Sequence, residues 1–375
     1  MKEYQFTGGR TPPESLPVQG LIDAAARVLK RRGELLVHYP SQFDYHDELK
    51  KVVSKRFEHR EGTPLPLEDI IVTTGSMQAI TLPIQALTKP GDTIVTEELT
   101  YMGSLECFRH YGLKVEGIPL DPVNGMDTDT LEDTLRSLAA RGIKPRFIYP
   151  IPNYQNPTGA VLSLPCRKRL IELAQDYEVL ILEDDCYGDT DLEPVRVPPS
   201  LYALGDPQAV LFLGSFSKIL APGVRLGYLC APQRFLPQLL ELKRHGQDAG
   251  TSGLSSFIVA EYLRDNLWSH IERHTRVIRE KRDTTLGALE EHLGDCATWT
   301  RPRGGLVIWV ELPFTADMDR LGQLAEERGV RYTRGREFHA RGEDIKCLRL
   351  SYAHMSHEDI SEGVRLLAEC VREAS

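Results

Sequence analysis

Apolar runs of four to six residues recur between residues 70 and 230, and each is followed by polar residues and then by a longer stretch with helical spacing. Short apolar runs are typical of buried strands, and apolar positions three or four apart indicate amphipathic helices. The predicted strands are 70–73, 93–96, 114–118, 146–151, 179–182, 210–213 and 226–230. The predicted helices around them are 47–58, 76–88, 101–112, one beginning near Asp127 and Asp129, and 164–177. This alternation predicts an α/β fold with a mostly parallel sheet.

The two ends of the chain show different patterns. Residues 1–46 contain several glycines and prolines, a helical segment (19–32) and a strand-like segment (35–39), so they should form an N-terminal arm and small-domain segment. Beyond residue 230 come helical patterns at 233–245, 252–264 and 267–293, then strands 306–312, 330–333 and 347–352 with helices 317–328 and 356–372. We therefore predict a large domain at 47–266 and a smaller α+β domain at 267–375.

Polar residues follow the predicted strands of the large domain. Gly75-Ser76 follows one strand and opens a helix, which is a suitable seat for an anion. The loop 152–159 follows another, and the acidic stretch 183–187 follows the next. Because open α/β sheets bind ligands at the carboxyl ends of their strands, these loops should build the site.

Lys218 is the residue that packing explains least well. It follows the strand 210–213 and a turn containing Ser215 and Ser217, and Arg225 comes seven positions later. A desolvated lysine is a neutral amine that attacks carbonyls, and the hydroxyls and arginine suit a phosphate. Pyridoxal 5'-phosphate (PLP) is an aldehyde that carries a phosphate, so it fits both the lysine amine and the phosphate-binding side chains. The competing interpretation is an exposed loop lysine beside a surface arginine.

Composition narrows the functional classes. The 375 residues include 45 basic and 54 acidic side chains, a net charge of −9 that does not favour nucleic acid or an acidic membrane as a partner. Seven scattered cysteines without a CxxC pair suit a reducing compartment. The first residues lack the pattern of a signal peptide, and no apolar run is long enough for a membrane span. We expect a cytoplasmic enzyme.

Metal and dinucleotide sites find little support. His270 and His274 are four apart, but Glu272 does not stand where a zinc helix of the HExxH type needs it, and His354 and His357 lack further ligands. We interpret His270 and His274 as polar helix residues. No GxGxxG motif follows a strand, which removes a Rossmann dinucleotide site.

A series of motifs resembles the class I/II aminotransferases of PLP-dependent fold type I, most of all the 2-aminoadipate and kynurenine branch. The blocks are GGRTPP, TTGSMQA, TYMG, IPNYQNPTG, EDDCY, GSFSKILAPGVRLGY, RPRGGLVIWVELP and LRLSY, in this order over nearly the whole chain. The resemblance implies a large domain with a mostly parallel sheet and a smaller α+β domain.

The resemblance also implies roles for single residues. Lys218 would bind the cofactor aldehyde and then move a proton at the substrate Cα, and Asp184 would pair with the pyridine nitrogen. Asp185 would take that place only if the motif were shifted by one residue. Tyr187 and Asn156 would donate to the phenolic oxygen, and Tyr101 would stack on the ring, although a core tyrosine is the alternative. The residues implied for the phosphate end are Ser76, Met77, Gln78, Ser215, Ser217 and Arg225.

Two further residues concern the substrate and the partner subunit. Arg349 matches the arginine that binds the α-carboxylate of an amino acid, with a structural ion pair as the alternative. Tyr39 matches a tyrosine that reaches the phosphate of the neighbouring subunit, which implies a homodimer with shared sites.

Two segments depart from the family pattern. A glycine usually follows the tyrosine that Tyr39 matches, but Pro40-Ser41-Gln42-Phe43 contains none, and Asp44 or Tyr45 stands in its place. The loop after residue 332 offers Arg334 and Arg336, which suit an acidic substrate tail or, more simply, solvent.

The resemblance predicts transfer of an amino group from an L-α-amino acid to a 2-oxo acid such as 2-oxoglutarate. The alternatives on the same fold are β-elimination with C–S cleavage, decarboxylation and oxidative deamination. A non-catalytic regulator with this fold is a further alternative, which the retained Lys218 and the expected absence of a helix-turn-helix segment disfavour.

Overall fold

The computed structural model describes residues 2–39, 44–247 and 250–375. In chain order its strands are β1 (Tyr4–Gln5), β2 (Ile70–Thr73), β3 (Thr93–Glu97), β4 (Lys114–Ile118), β5 (Leu120–Asp121), β6 (Gly125–Met126), β7 (Phe147–Tyr149), β8 (Leu180–Asp184), β9 (Val210–Ser215), β10 (Gly227–Cys230), β11 (Thr298–Trp299), β12 (Val307–Glu311), β13 (Val330–Arg331), β14 (Thr333–Arg334) and β15 (Cys347–Ser351). Its α-helices are α1 (Val18–Arg32), α2 (Asp47–Glu61), α3 (Ser76–Leu87), α4 (Met102–His110), α5 (Thr128–Ala140), α6 (Leu164–Asp176), α7 (Leu201–Leu204), α8 (Leu236–Glu241), α9 (Gly253–Leu293), α10 (Met318–Glu327) and α11 (His357–Ala374).

A seven-stranded sheet in the order β2-β10-β9-β8-β7-β3-β4 forms the centre of the large lobe. Its pairs are parallel except that β10 runs antiparallel to both β2 and β9. Strands β2, β3 and β9 are buried along their whole length, as expected for strands covered on both faces. The predicted α/β class with a mostly parallel sheet is confirmed.

A second, antiparallel sheet in the order β11-β12-β15-β14 carries Arg349 on β15. Helices α10 and α11 belong to the same part of the chain, and each has a polar face and an apolar face that is buried. The N-terminal arm reaches this region because β1 pairs in parallel with β13. The boundaries at residues 46 and 266 remain predictions.

Four segments differ from the predicted elements. Residues 35–39 do not form a strand, because Gly33–Val37 is a 3-10 turn in which His38 N donates to the carbonyl of Leu35 (3.1 Å). The segment 330–333 is split, since β13 pairs with β1 whereas β14 pairs with β15. The segment 233–245 begins as a 3-10 turn, continues as α8, and ends as a π turn (Leu242–Gly246). Pro237, which has no backbone N–H, lies in the first turn of α8.

The predicted helices 252–264 and 267–293 are one helix, α9. Asp265 and Asn266 are poor helix formers, which suggested a break, but packing overrides that weak preference. The side chain of Asn266 donates to the carbonyl of Tyr262 one turn earlier (2.8 Å), and Asp265 pairs with Arg264 (2.8 Å). The predicted boundary at residue 266 therefore falls inside a continuous helix. Charged residues recur along α9, and none of the described helices could serve as a membrane span.

Candidate active site

The carboxyl ends of β3, β7, β8 and β9 and the start of α3 surround a cavity of about 590 Å³. Parallel strands bring their carboxyl ends to one edge of the sheet, so loops that are far apart in sequence meet there. Predicted site residues that line this cavity are Ser76, Met77, Tyr101, Asn156, Asp184, Tyr187, Ser217, Lys218, Arg225 and Arg349.

Lys218 follows β9 and extends its amine into the cavity. Its Nζ donates to the carbonyl oxygen of Gly9 in the N-terminal arm (2.7 Å) and lies 5.6 Å from the ring centroid of Tyr187. Removal from bulk water lowers the pKa of Lys218 to about 8, and the positive charge of Arg349 acts in the same direction. A Cβ at residue 9 would lie 2.5 Å from Nζ, so a side chain there would displace the amine from this position.

Asp184 ends β8 and is buried. Its Oδ2 accepts from the hydroxyl of Tyr149 (2.7 Å), and its Oδ1 accepts from the backbone N–H of Cys186 (3.2 Å). Burial raises the pKa of Asp184 above its ordinary value. A nearby cation inside the cavity would favour the ionised carboxylate.

Asp185 does not line the cavity. Its Oδ1 accepts from the side chain of Asn153 (2.6 Å), and its Oδ2 pairs with Arg60 (2.6 Å). Adjacent carboxylates therefore have separate environments. Asp184, which fits the Asp-x-x-Tyr spacing, faces the cavity. Asp185 instead connects the segments that carry Asn153 and Arg60.

Arg349, on β15, is 4% exposed. Its Nη1 donates to the side-chain oxygen of Asn156 (3.3 Å), its Nη2 donates to Thr333 Oγ1 (3.0 Å), and its buried Nε has no hydrogen-bond partner within the described residues. No ion pair in the described ranges includes Arg349, which weighs against the structural ion pair considered above. The pKa of Arg349 is lowered by burial. A buried guanidinium without a carboxylate partner, facing a cavity, is suited to an anionic ligand.

Comparison with known proteins places the chain in a family. The model of the family "Aminotransferase class I and II" matches residues 12–367. This chain belongs to that family.

Two curated relatives cover almost all of this aminotransferase. The aromatic-amino-acid aminotransferase 1 of Thermococcus litoralis is 34% identical over 98% of this chain and 88% of its own length. The 2-aminoadipate transaminase of Thermus thermophilus is 35% identical over 98% and 89%. The predicted enzyme class is confirmed.

Solved structures of aminotransferases have the same fold as this chain. The α-aminoadipate aminotransferase of Thermus thermophilus, complexed with N-(5'-phosphopyridoxyl)-L-leucine, has a TM-score of 0.91 at 34% identity and covers 99% of this chain and 92% of that chain. An archaeal alanine:glyoxylate aminotransferase has a TM-score of 0.93 at 32% identity, with coverage of 100% and 92%. The fold type I prediction is confirmed, and PLP is the cofactor of this aminotransferase.

The residues around the N-terminus of α3 fit the phosphate of PLP. Arg225 donates from Nη2 to the carbonyl of Thr74 (3.3 Å) and from Nη1 to that of Pro222 (3.2 Å), which holds the guanidinium beside Ser76 and Ser217 at the cavity wall. Backbone N–H groups at the start of a 12-residue helix add further donors. Hydroxyls, amides and an arginine are the donors that a phosphate requires.

Two residues predicted for the phosphate do not line the cavity. Ser215 Oγ accepts from the backbone N–H of Ser217 (3.0 Å). Gln78 Oε1 accepts from the backbone N–H of Thr74 (2.7 Å), and its Nε2 donates to Gln247 (2.8 Å). In this structure both side chains support the turns that carry the lining residues.

Also outside the cavity lie Tyr39 and four described residues from the segments that depart from the family pattern, namely Asp44, Tyr45, Arg334 and Arg336. Tyr39 is 75% exposed. Pro40, Ser41, Gln42 and Phe43 are outside the described residues. Asp44 accepts from the backbone N–H of His46 (2.8 Å), and the buried Tyr45 donates to the carbonyl of Leu35 (2.8 Å). Arg334 pairs with Asp319 (2.9 Å), and Arg336 is exposed.

Several lining or supporting residues were missed by the sequence reasoning. Tyr149 bonds Asp184 from inside an apolar strand, where nothing in the pattern marks it. Thr333 bonds Arg349 and lines the cavity. Arg10 lines the cavity and, within the described residues, makes no ion pair or side-chain hydrogen bond. The adjacent glycines in GGRTPP were the available signal for Arg10, because they allow the arm to approach the site closely.

Proposed function

We propose that this aminotransferase moves the amino group of an L-α-amino acid to a 2-oxo acid, with Lys218 as the proton carrier and Arg349 as the carboxylate anchor. The observation that carries this proposal is that the amine of Lys218 and the unpaired guanidinium of Arg349 face one cavity. An α-amino acid presents its Cα proton and its carboxylate on neighbouring atoms, so two such groups can act on it together.

PLP supplies an aldehyde that takes up the amino group and a ring that accepts the electron pair left at Cα. Lys218, with its pKa at about 8, exchanges protons readily near neutral pH and is proposed to remove the Cα proton and return it on the neighbouring cofactor carbon. Asp184 is proposed to keep the ring nitrogen protonated. Tyr149 and the N–H of Cys186 orient its carboxylate for that purpose.

Arg10 supports a dicarboxylic 2-oxo acid, such as 2-oxoglutarate, as the acceptor. The names of the relatives include both an aromatic and a dicarboxylic amino acid, so one site in this family handles different side chains. Arg349 holds the α-carboxylate, and Arg10 is the cavity cation left to attract a second carboxylate. Glu106 and Glu337 line the same cavity and repel a second carboxylate, whereas Arg10 attracts it.

The test is product analysis with the purified holoenzyme. Amino acids with acidic, aromatic, aliphatic and sulfur-containing side chains are incubated with 2-oxoglutarate, with pyruvate or with no acceptor, and products are identified by mass. Transamination turns over repeatedly, and forms a new amino acid, only when an acceptor is present; without one, at most one equivalent of 2-oxo acid per bound PLP is released. Release of CO2 or a thiol without an acceptor would overturn the proposal. If Arg10→Leu and wild type show the same preference between 2-oxoglutarate and pyruvate, Arg10 does not bind the second carboxylate.

The same geometry supports a homodimer with shared sites. Val18, Ile22 and Leu29 form an exposed apolar row on α1, and Val37 and Tyr39 are 78% and 75% exposed nearby in sequence. Positions four and seven apart lie on one helix face, so this row is suited to contact a second copy of the chain. Tyr39 does not line the cavity of its own chain, which is consistent with a role across the interface.

A further inference from the structure

Helix α9 packs two histidines against the turn that carries Lys218. His270 and His274 lie one helical turn apart, their rings stack with centroids 5.8 Å apart, and their exposures are 1% and 0%. They are polar residues of a helix, as interpreted from the sequence, but both are buried. In the described ranges no group of three or more metal-binding side chains includes them.

Each histidine binds a backbone carbonyl of the lysine turn. His274 Nε2 lies 2.8 Å from the carbonyl oxygen of Lys218, and His270 Nε2 lies 2.6 Å from that of Ile219. A carbonyl oxygen only accepts hydrogen bonds, so each Nε2 carries the hydrogen and donates. Burial lowers the pKa of both imidazoles to about 4, and both are therefore neutral near pH 7 with Nδ1 as an acceptor. Arg273, which donates to His270 Nδ1 (3.2 Å), agrees with this tautomer.

The other nitrogen of His274 contacts the N-terminal arm. His274 Nδ1 lies 2.8 Å from the hydroxyl of Ser15, which also lies 2.8 Å from the carbonyl oxygen of Pro12. The same arm places the carbonyl of Gly9 against the amine of Lys218 (2.7 Å). The imidazole of His274 thus connects the backbone of Lys218 to the N-terminal arm, and the same arm contacts the amine of Lys218.

We propose that His274 is a positioning residue that sets where the amine of Lys218 stands by holding the lysine backbone and the N-terminal arm at a fixed separation. The proposal rests on the proposed function of Lys218. Proton transfer depends on the placement of the amine relative to Cα, and a displacement of about 1 Å can cost about 100-fold in rate. His270 holds the next carbonyl but makes no bond to the arm, so its effect should be smaller.

Three substitutions separate the two contacts of His274. His274→Gln places an N–H donor near the position of Nε2, His274→Asn places a polar group near Nδ1, and His274→Leu removes both contacts. We expect kcat to fall between about 10- and 100-fold in His274→Leu with a much smaller change in KM. His274→Gln should recover most of the loss, and His274→Asn should recover little because the bond to the lysine backbone is still missing.

Two readouts besides activity report the position of the lysine. Absorbance of the bound PLP titrates with pH through its bond to Lys218, and this titration should shift in His274→Leu and return in His274→Gln. Amide hydrogen exchange should quicken at residues 216–220 and 15–16 in His274→Leu, and at 15–16 alone in Ser15→Ala, because the amides of residues 15 and 16 donate to the carbonyls of Pro12 (3.2 Å) and Pro13 (3.1 Å). Ser15→Ala also answers the question if His274→Leu fails to fold, because it leaves the bond between His274 and the lysine backbone in place and removes only the contacts of the Ser15 hydroxyl with His274 and Pro12.

Thr285→Val is the matched control, since it removes a buried side-chain hydrogen bond, to the carbonyl of Lys281 (2.8 Å), elsewhere on α9. It should lower the melting temperature without moving the PLP titration or kcat. If His274→Leu behaves like this control, or if His274→Gln and His274→Leu are equally impaired, His274 does not position the lysine. Failure of the proposed function would look different, because wild type itself would then not transaminate any member of the amino acid panel.

Discussion

Arg349 is the residue whose surroundings say most about the substrate. Its guanidinium is almost completely buried, and its described partners are neutral oxygens of Asn156 and Thr333. Burying a charge is costly unless a partner compensates it, so the site is stabilised when an anion arrives. We propose that the α-carboxylate of an amino acid is this anion, because it would supply the acceptor that the buried Nε lacks.

Replacing Arg349 with lysine should lower kcat/KM for amino acids by about 100-fold or more, because a lysine cannot form the two parallel hydrogen bonds. The corresponding amine, which has no carboxylate, should be affected far less. Steady-state kinetics on both compounds measures the difference. Arg331→Lys is the matched control, since Arg331 lies on β13, which pairs with β1, and forms a surface ion pair with Glu326 (3.1 Å). Equal losses for the amino acid and the amine would contradict the role of Arg349.

Glu97 gives a prediction about pH. It is 2% exposed at the end of β3, and it accepts from the N–H of Ile151 (2.8 Å) and the hydroxyl of Thr100 (3.0 Å), which joins the loops that carry Tyr101 and Asn156. Burial raises the pKa of Glu97 to about 7 from 4.5. Between pH 4.5 and about 7, Glu97 is therefore protonated in the folded protein and ionised in the unfolded protein. The contribution of Glu97 to stability declines as the pH rises through this range.

The free energy of unfolding of Glu97→Gln, minus that of wild type, should increase by up to about 3 kcal/mol as the pH rises from about 4.5 to above 7. Denaturant unfolding at several pH values measures this difference. Glu34→Gln removes the same charge from an exposed position and should show no such trend. A constant difference between Glu97→Gln and wild type across the range would contradict the raised pKa.

At the scale of elements, the turn from β2 into α3 shows how local backbone geometry builds part of the cofactor site. Gly75 has φ +75°, and a Cβ there would lie 2.6 Å from Nη2 of Arg225. Gly91 has φ +90°, but a Cβ there would meet no atom within 4 Å. Both glycines have a positive φ, but Gly75 also has ψ 172°, in a region that is essentially restricted to glycine, and only Gly75 faces the guanidinium.

Gly75→Ala and Gly91→Ala should each lose about 1–3 kcal/mol of stability, and Gly75→Ala should lose more, because both place alanine at a positive φ and Gly75 lies in the region that is essentially restricted to glycine. Only Gly75→Ala should also weaken PLP binding, by about tenfold or more, because displacement of Arg225 removes a charge-assisted hydrogen bond to the phosphate. Thermal unfolding of the apoenzymes and fluorescence titration with PLP separate the two effects. Equal PLP affinity in both variants would argue against Arg225 as a phosphate ligand.

Elements with strong local signals could be predicted from the sequence, and those that depend on distant partners could not. Strand Ile70–Thr73 consists of β-branched residues, follows an acidic segment and ends at a Thr-Gly-Ser turn, so both of its bounds are visible in the sequence. Strand β1 has two residues and exists only because β13, more than 300 positions later, lies beside it. The continuity of α9 across Asp265 and Asn266 likewise reflects packing that outweighs propensity.

In the candidate site, too, the residues marked by motifs could be predicted from the sequence, and the contacts between distant segments could not. Motifs marked Lys218, Asp184 and Arg349, and the structure brings these three to one cavity. The bond between Lys218 and Gly9 spans 209 positions, and the bond between His274 and Lys218 joins a helix to a loop 56 positions earlier. No sequence period encodes such contacts, because they arise only when the arm and α9 pack onto the strand ends.

At the scale of the whole molecule, the exposed row on α1 and the exposed Tyr39 predict that each site needs two chains. If Tyr39 of one chain serves the Lys218 of the other, a chain with Tyr39→Ala and a chain with Lys218→Ala can together form one intact site. Each variant alone should be severely impaired, since every one of its sites lacks one of the two groups. Independent sites within one chain predict no recovery on mixing.

The experiment is to unfold equal amounts of the two variants together, refold them with PLP, and compare the activity with that of wild type. Random pairing makes half of the dimers mixed, and each mixed dimer has one intact site of two, so about a quarter of wild-type activity should return. The same variants refolded separately and then combined should stay impaired as long as subunits do not exchange, which is the internal control. Light scattering confirms that the refolded material is dimeric, and dimers without recovered activity would show that Tyr39 does not act across the interface.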